Sequence, residues 1–233
     1  LILRQNKFFM AKKNNNTDKQ FANIEQSLSK TEQFIEDNRN ILISIIGAII
    51  IIFLFIYGYK NFYKSPLNIK AQNQLFIGEQ YFEKNDFQAA LNGTENYIGL
   101  IGITEKYSNT QSGNLARYYA GISYLRLGEF ENAIQMLEKY NSEDKLLLSI
   151  SKAAMGDAFS EIKQPKEAIE YYKKAIKIAN NNLITPIFLM KCAKIHESEA
   201  QFKEAKSCYL KIQSDYPEST QAKNIEKHIN KLK

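Results

Sequence analysis

Residues 114–140 read NLARYYAGISYLRLGEFENAIQMLEKY, and residues 149–175 read SISKAAMGDAFSEIKQPKEAIEYYKKA. With Gly121 laid on Gly156 the two stretches keep step. Tyr124 meets Phe159, Ala133 meets Ala168 and Leu137 meets Tyr172, all at an offset of 35 residues. Residues 186–212, PIFLMKCAKIHESEAQFKEAKSCYLKI, continue the series at a further offset of 37. There Ala193 takes the small place, His196 the aromatic place, Ala205 the second small place and Tyr209 the second aromatic. A small residue in each of two helices lets their backbones approach, and a larger residue three or four places on fills the groove beside it. Such a hairpin cannot bury its apolar face alone, so neighbours must stack to complete the core.

Working outward, Gly78, Tyr81, Phe87 and Ala90 match Gly121, Tyr124, Phe130 and Ala133 at an offset of 43. The added length falls between Gly93 and Gly113, where four glycines predict irregular backbone or an extended second helix. Pro217 closes the last hairpin. Beyond it Ala222, Ile225, Ile229 and Leu232 form the apolar stripe of a capping helix. The units expected are therefore 71–113, 114–148, 149–185 and 186–217, with a cap at 218–233, in a domain spanning 66–233. The series resembles the tetratricopeptide repeat, whose units run near 34 residues. The expected fold class is all-α: a single transmembrane helix followed by an α-solenoid of helical hairpins.

The transmembrane helix is read from residues 41–59, ILISIIGAIIIIFLFIYGY, which hold 19 residues without a charge. At about 1.5 Å per residue such a helix just spans a hydrocarbon core of roughly 30 Å. Arg39 closes one end, and Tyr57, Tyr59, Lys60, Tyr63 and Lys64 crowd the other as an interfacial belt. A cleaved signal peptide would lie nearer the start, be shorter and end in small residues. Ser44, Gly47 and Ala48 offer a small patch for another helix, against a plain lipid-facing reading. Residues 1–40 form an arm, partly disordered or folded as an amphipathic helix along Phe21, Ile24, Leu28 and Ile35. Met10-Ala-Lys-Lys has the look of a natural start.

Charge excludes one class of function. The net +6 is spread thinly, with 7 basic and 5 acidic residues in the first 40 and 24 against 20 in the rest. A nucleic-acid binder would gather its charge in a stripe or arm, so no nucleic-acid partner is expected. His196 and His228 are the only histidines and Cys192 and Cys208 the only cysteines. No C-x-x-C, phosphate loop or G-x-S-x-G is present. No Cys/His/Asp ligand spacing surrounds the histidines, and His196 sits at a packing place. The reading is thus no enzyme, no cofactor, no metal and no small-molecule substrate. Cys192 and Cys208 fall on the two helices of one hairpin, as small buried hydrophobes or, in an oxidising compartment, as a disulfide.

Partner binding in such arrays falls on the face lined by each unit's first helix. Projecting the helical period places Tyr118, Ile122, Leu125, Asp157, Glu161, Met190 and Lys194 near that face. Some tetratricopeptide domains clamp a C-terminal carboxylate there with Lys and Asn. Tyr118 and Ile122 stand where charge or amide would be needed. An apolar groove for an amphipathic helix or unfolded segment fits better; the alternative is that these residues pack against the preceding hairpin.

The layout of arm, membrane helix and repeats resembles the YfgM-type ancillary subunits of the bacterial Sec translocon, especially their Bacteroidetes relatives. Asn114-Leu115-Ala116-Arg117-Tyr118-Tyr119-Ala120-Gly121 and Gly156-Asp157-Ala158-Phe159 carry that likeness. The resemblance implies a single-pass inner-membrane protein with a cytoplasmic N-terminus and periplasmic repeats. It also implies the Sec channel and periplasmic chaperones as partners. Two other readings compete: a structural organiser of envelope or division complexes, and a regulator whose arm reports to a cytoplasmic factor.

Overall fold

A computed structural model describes residues 32–59 and 65–232. Phe21, Ile24 and Leu28 of the arm, Met10, and Lys60, Tyr63 and Lys64 of the belt lie outside the described residues. The chain divides into two compact units after Asn61. In the first, a helical stretch at 32–37 leads into α1, Arg39–Gly58. Its 20 residues bury no side chain, and it is long and apolar enough to cross a membrane. Ser44 Oγ donates to Asn40 O at 2.8 Å, which satisfies its hydroxyl within the helix, and Gly47 has open space around it.

The second unit is built of antiparallel helices. They are α2 (Ser65–Glu83), α3 (Phe87–Asn92), α4 (Gly99–Lys106), α5 (Gln111–Leu127) and α6 (Phe130–Lys139). There follow α7 (Lys145–Glu161), α8 (Pro165–Ala179), α9 (Thr185–Ser198), α10 (Phe202–Asp215) and, after a 3₁₀ turn at Ala222–Asn224, α11 (Ile225–Lys231). Hairpins α5–α6, α7–α8 and α9–α10 pack in sequence, the second helix of one against the first of the next. Among the described residues the backbone forms no strand, only one isolated bridge between Thr94 and Tyr97.

The helices start where short polar side chains satisfy the orphan amides of the first turn. Thr110 Oγ1 accepts from Gly113 N at 2.9 Å. The Asp144 carboxylate accepts from Leu146 N and Leu147 N at 2.8 and 3.2 Å. Pro165 and Pro186 sit in the first turns of α8 and α9, where a missing N–H costs nothing.

One turn recurs four times. Asn85, Gly128, Lys163 and Ala200, spaced by the repeat offsets, all have positive φ, at 59°, 79°, 59° and 56°. After each, the next amide reaches back five residues: Asp86 to Tyr81, Glu129 to Tyr124, Gln164 to Phe159 and Gln201 to His196. This is the Schellman closure, which uses carbonyls the helix end would leave unpaired. Glycine takes that conformation without a Cβ penalty, and only Gly128 provides it here.

Inside the hairpins the small places work by contact. A Cβ on Gly121 would stand 2.5 Å from Leu137 Cγ, and one on Gly156 would stand 2.7 Å from Tyr172 Cε1. Ala193, Ala205 and Tyr209 are likewise fully buried in the third of these hairpins. Each fully buried Leu or Ile contributes about 1.5–3 kcal/mol relative to exposure.

The first hairpin departs from the others. Its second helix is broken into α3 and α4 by Gly93 to Ile98. Gly93 has φ +87°, and a Cβ there would collide with the carbonyl oxygen of Tyr97, so the backbone turns back on itself at a place only glycine fits. Tyr97 from this insertion then does what Leu137 and Tyr172 do elsewhere. Its hydroxyl donates to Ala90 O at 2.8 Å and fills the space that a Cβ on Gly78 would need. The cap also has a twist: it enters as a 3₁₀ turn, and its stripe faces inward. Ile225 is buried, with Ala222, Ile229 and Leu232 packed around it against Leu189, Tyr209 and Ile212.

Candidate functional site

The first helices of the hairpins line a groove of about 880 Å³. Phe82 comes from α2, Tyr118, Ile122 and Leu125 from α5, Ala153 and Asp157 from α7, and Phe188 and Lys191 from α9. Side chains a turn apart on one helix share a face, so each element contributes residues three or four apart. Stacking then sets these faces side by side. Tyr118 packs edge-on to Tyr119 at 5.5 Å and tilts against Tyr140 at 5.4 Å, which holds its ring in the wall. Burial, and the neighbouring Tyr140 hydroxyl, push the Tyr118 phenol above its ordinary pKa, so it stays neutral.

A hydrogen-bonded polar cluster in the groove centres on Asp157, and Arg126, Ser160 and Glu161 also lie on the lining. Lys191 Nζ donates to its two carboxylate oxygens at 2.6 and 2.7 Å, and Tyr172 OH donates to Oδ1 at 2.7 Å. Burial and this carboxylate keep the Tyr172 phenol protonated. Asp157 and Lys191 remain part-exposed. The cluster thus presents a matched charge pair amid apolar walls.

Of the residues expected on this face, Tyr118, Ile122, Leu125, Asp157 and Glu161 line the groove together. Met190 does not; it packs into the cluster around Ala193 and Tyr209. Lys194 is exposed away from the lining. On α9 the projection is off by a fraction of a turn, and Phe188 and Lys191 take those places. Lys191 lies 34 residues after Asp157, three short of the 37-residue offset that carries Asp157 to Lys194, so projection from the preceding unit passes over it. A second groove of about 740 Å³ lies between α2 and α5, lined by Asn68, Gln72, Phe76, Glu79, Gln111 and Leu115 among others.

His196 is buried, and its Nδ1 lies 2.6 Å from Gln201 Oε1. Cys192 is buried and Cys208 half-buried, both as free thiols. Their ligand atoms and one from His196 all lie within 4.8 Å of one another. Spacing arguments missed this trio, although Cys192 and His196 are one helical turn apart, because Cys208 arrives from the facing helix.

Models of the tetratricopeptide repeat match residues 115–144 and 151–182, the hairpins α5–α6 and α7–α8. These segments are tetratricopeptide repeats. "Tetratricopeptide repeat protein 29" of Homo sapiens is 28% identical over 111 residues, covering 46% of this chain and 23% of that protein. The protein of the same name from Macaca fascicularis is 32% identical over 85 residues, covering 34% and 18%. The chain therefore spans less than a quarter of the length of these curated relatives. Two crystal structures share the fold at a TM-score of 0.53. One is the MamA protein, 17% identical, covering 70% of this chain and 87% of that one. The other is a point variant of a Podosopora anserina protein with kinesin light chain nearly identical TPR-like repeats, 14% identical, covering 70% and 84%. Tetratricopeptide arrays are protein-interaction scaffolds rather than catalysts, and nothing among the described residues points to an enzyme activity.

Proposed function

We propose that this chain is a membrane-anchored tetratricopeptide scaffold. Its groove takes an amphipathic helix or an unfolded segment of another protein. The observation that carries this is the groove itself: Tyr118, Ile122, Leu125 and Phe188 supply apolar walls beside the ion pair of Asp157 and Lys191, with Arg126 and Glu161 also on the lining. The apolar side of an amphipathic segment inserted there would gain buried area against these walls, and a polar group on the ligand would find a partner on the pair. The anchor rests on α1, whose apolar residues are exposed on every side.

For the partner we propose the Sec channel and periplasmic chaperones, with the N-terminus in the cytoplasm and the repeats in the periplasm of a bacterial inner membrane. The likeness to YfgM-type subunits supports this. A crosslinking pull-down from solubilised membranes with a C-terminal tag tests it. Recovery of Sec channel subunits together with a periplasmic chaperone is expected. Recovery of only cytoplasmic proteins would invert the topology, and recovery of only cell-wall or outer-membrane assembly factors would move the scaffold to the division or envelope machinery.

A further inference from the structure

The last hairpin holds a feature that the groove does not use. Cys192 and His196 lie one helical turn apart on α9 and share a face. Cys208 meets them from α10. The two sulfurs and a histidine ring nitrogen all lie within 4.8 Å of one another. Cys192 is 1% exposed and His196 5%. We propose that Cys192, His196 and Cys208, with both thiols reduced as they stand here, form a zinc site that clasps the two helices of this hairpin.

The donor set suits that ion. Zinc binds thiolate at about 2.3 Å and imidazole at about 2.0–2.1 Å, so a tetrahedral site sets its ligand atoms roughly 3.6–3.8 Å apart. The trio needs at most about an ångström of side-chain rotation to reach that spacing. The imidazole has its supporting partner. Gln201 Oε1 can only accept, so the 2.6 Å contact makes Nδ1 the N–H donor and leaves the lone pair on Nε2. Metal-bound histidines are held in this way, with the second nitrogen bonded to a carbonyl or carboxylate. Gln201 is fixed in turn, since its own amide closes the α9–α10 turn onto His196 O at 2.8 Å.

Charge balances too. Zn²⁺ displaces one proton from each thiol to solvent, and two thiolates with a neutral imidazole leave the buried site uncharged. With three protein donors, the fourth position of the tetrahedron is left for water.

The test uses the full chain in detergent, kept reduced with a non-thiol reductant and titrated with Co²⁺ and then Zn²⁺. A thiolate-to-cobalt charge-transfer band should appear, with intense tetrahedral d–d bands, and stoichiometric Zn²⁺ should bleach both. Cys192→Ser, Cys208→Ser and His196→Gln should each abolish the bands, His228→Gln should keep them, and Gln201→Leu should weaken binding about tenfold or more. Zn²⁺ should also protect both thiols of the wild-type chain from alkylation, a readout that does not depend on any variant folding. Absence of the charge-transfer band, or thiols alkylated equally fast with and without Zn²⁺, would overturn the site. So would bands that persist in the Cys208→Ser variant.

Discussion

Gly156 sits under the ring of Tyr172 with no space even for a methyl group. A Cβ there would lie 2.7 and 2.8 Å from two ring carbons, and Tyr172 cannot swing away without breaking its bond to Asp157. Gly156→Leu should therefore destabilise the domain by several kcal/mol, on the order of 1–3 from overpacking and more from the displaced ring. A thermal melt is the check, and an unchanged melt would contradict the packing described. Asp157 carries a second prediction. Asp157→Ala leaves the buried Tyr172 hydroxyl and the Lys191 ammonium without their partner. The cost should be about 1–3 kcal/mol, measured by urea denaturation. Tyr172→Phe in the Asp157→Ala background should recover part of it, because the stranded hydroxyl is then gone.

The four inter-helix turns predict opposite effects from similar changes. A non-glycine residue in the left-handed region costs about 1–2 kcal/mol, set against an unfolded-chain entropy cost of about 0.5–1 kcal/mol for glycine. Ala200→Gly should therefore stabilise by up to about 1 kcal/mol, and Gly128→Ala should destabilise by about the same amount. Paired melts of the two variants would check the sign. The sequence made these hairpins legible because a small residue, an aromatic and a second small residue recur at near-constant offsets. It also marked the Gly93–Gly113 stretch as irregular. It did not show that Tyr97 would stand in for the missing Leu137 equivalent, since that contact is made by an insertion with no counterpart in the other units. Within the groove, the period placed the α5 and α7 residues but missed on α9. Pro186 and Asn181 set the phase of that helix start, with Asn181 Oδ1 accepting from Leu183 N and Ile184 N at 2.9 and 3.0 Å. Projection from the preceding unit does not carry that phase.

At the scale of the whole array, stability is a sum of units and the interfaces between neighbours, so the ends matter most. The last interface rests on Ile225, which is 2% exposed and packs with Leu189, Tyr209, Ile212 and Tyr216. Ile225→Ala should cost about 2–5 kcal/mol. It should also loosen α9–α10 before the earlier hairpins, visible as faster hydrogen exchange confined to residues 185–215. The groove runs across units in the same way, which lets an array built of weak hairpins present one continuous surface. That surface is the centre of the account, and site-specific photocrosslinking tests it most directly. A photoreactive residue at Ile122, inside the groove, would be compared in intact cells with one at Lys206, an exposed position on the last second helix. A discrete protein adduct from position 122, weakened by Leu125→Glu and absent from position 206, is the predicted result. Adducts from 206 with none from 122 would place the binding surface elsewhere and contradict it.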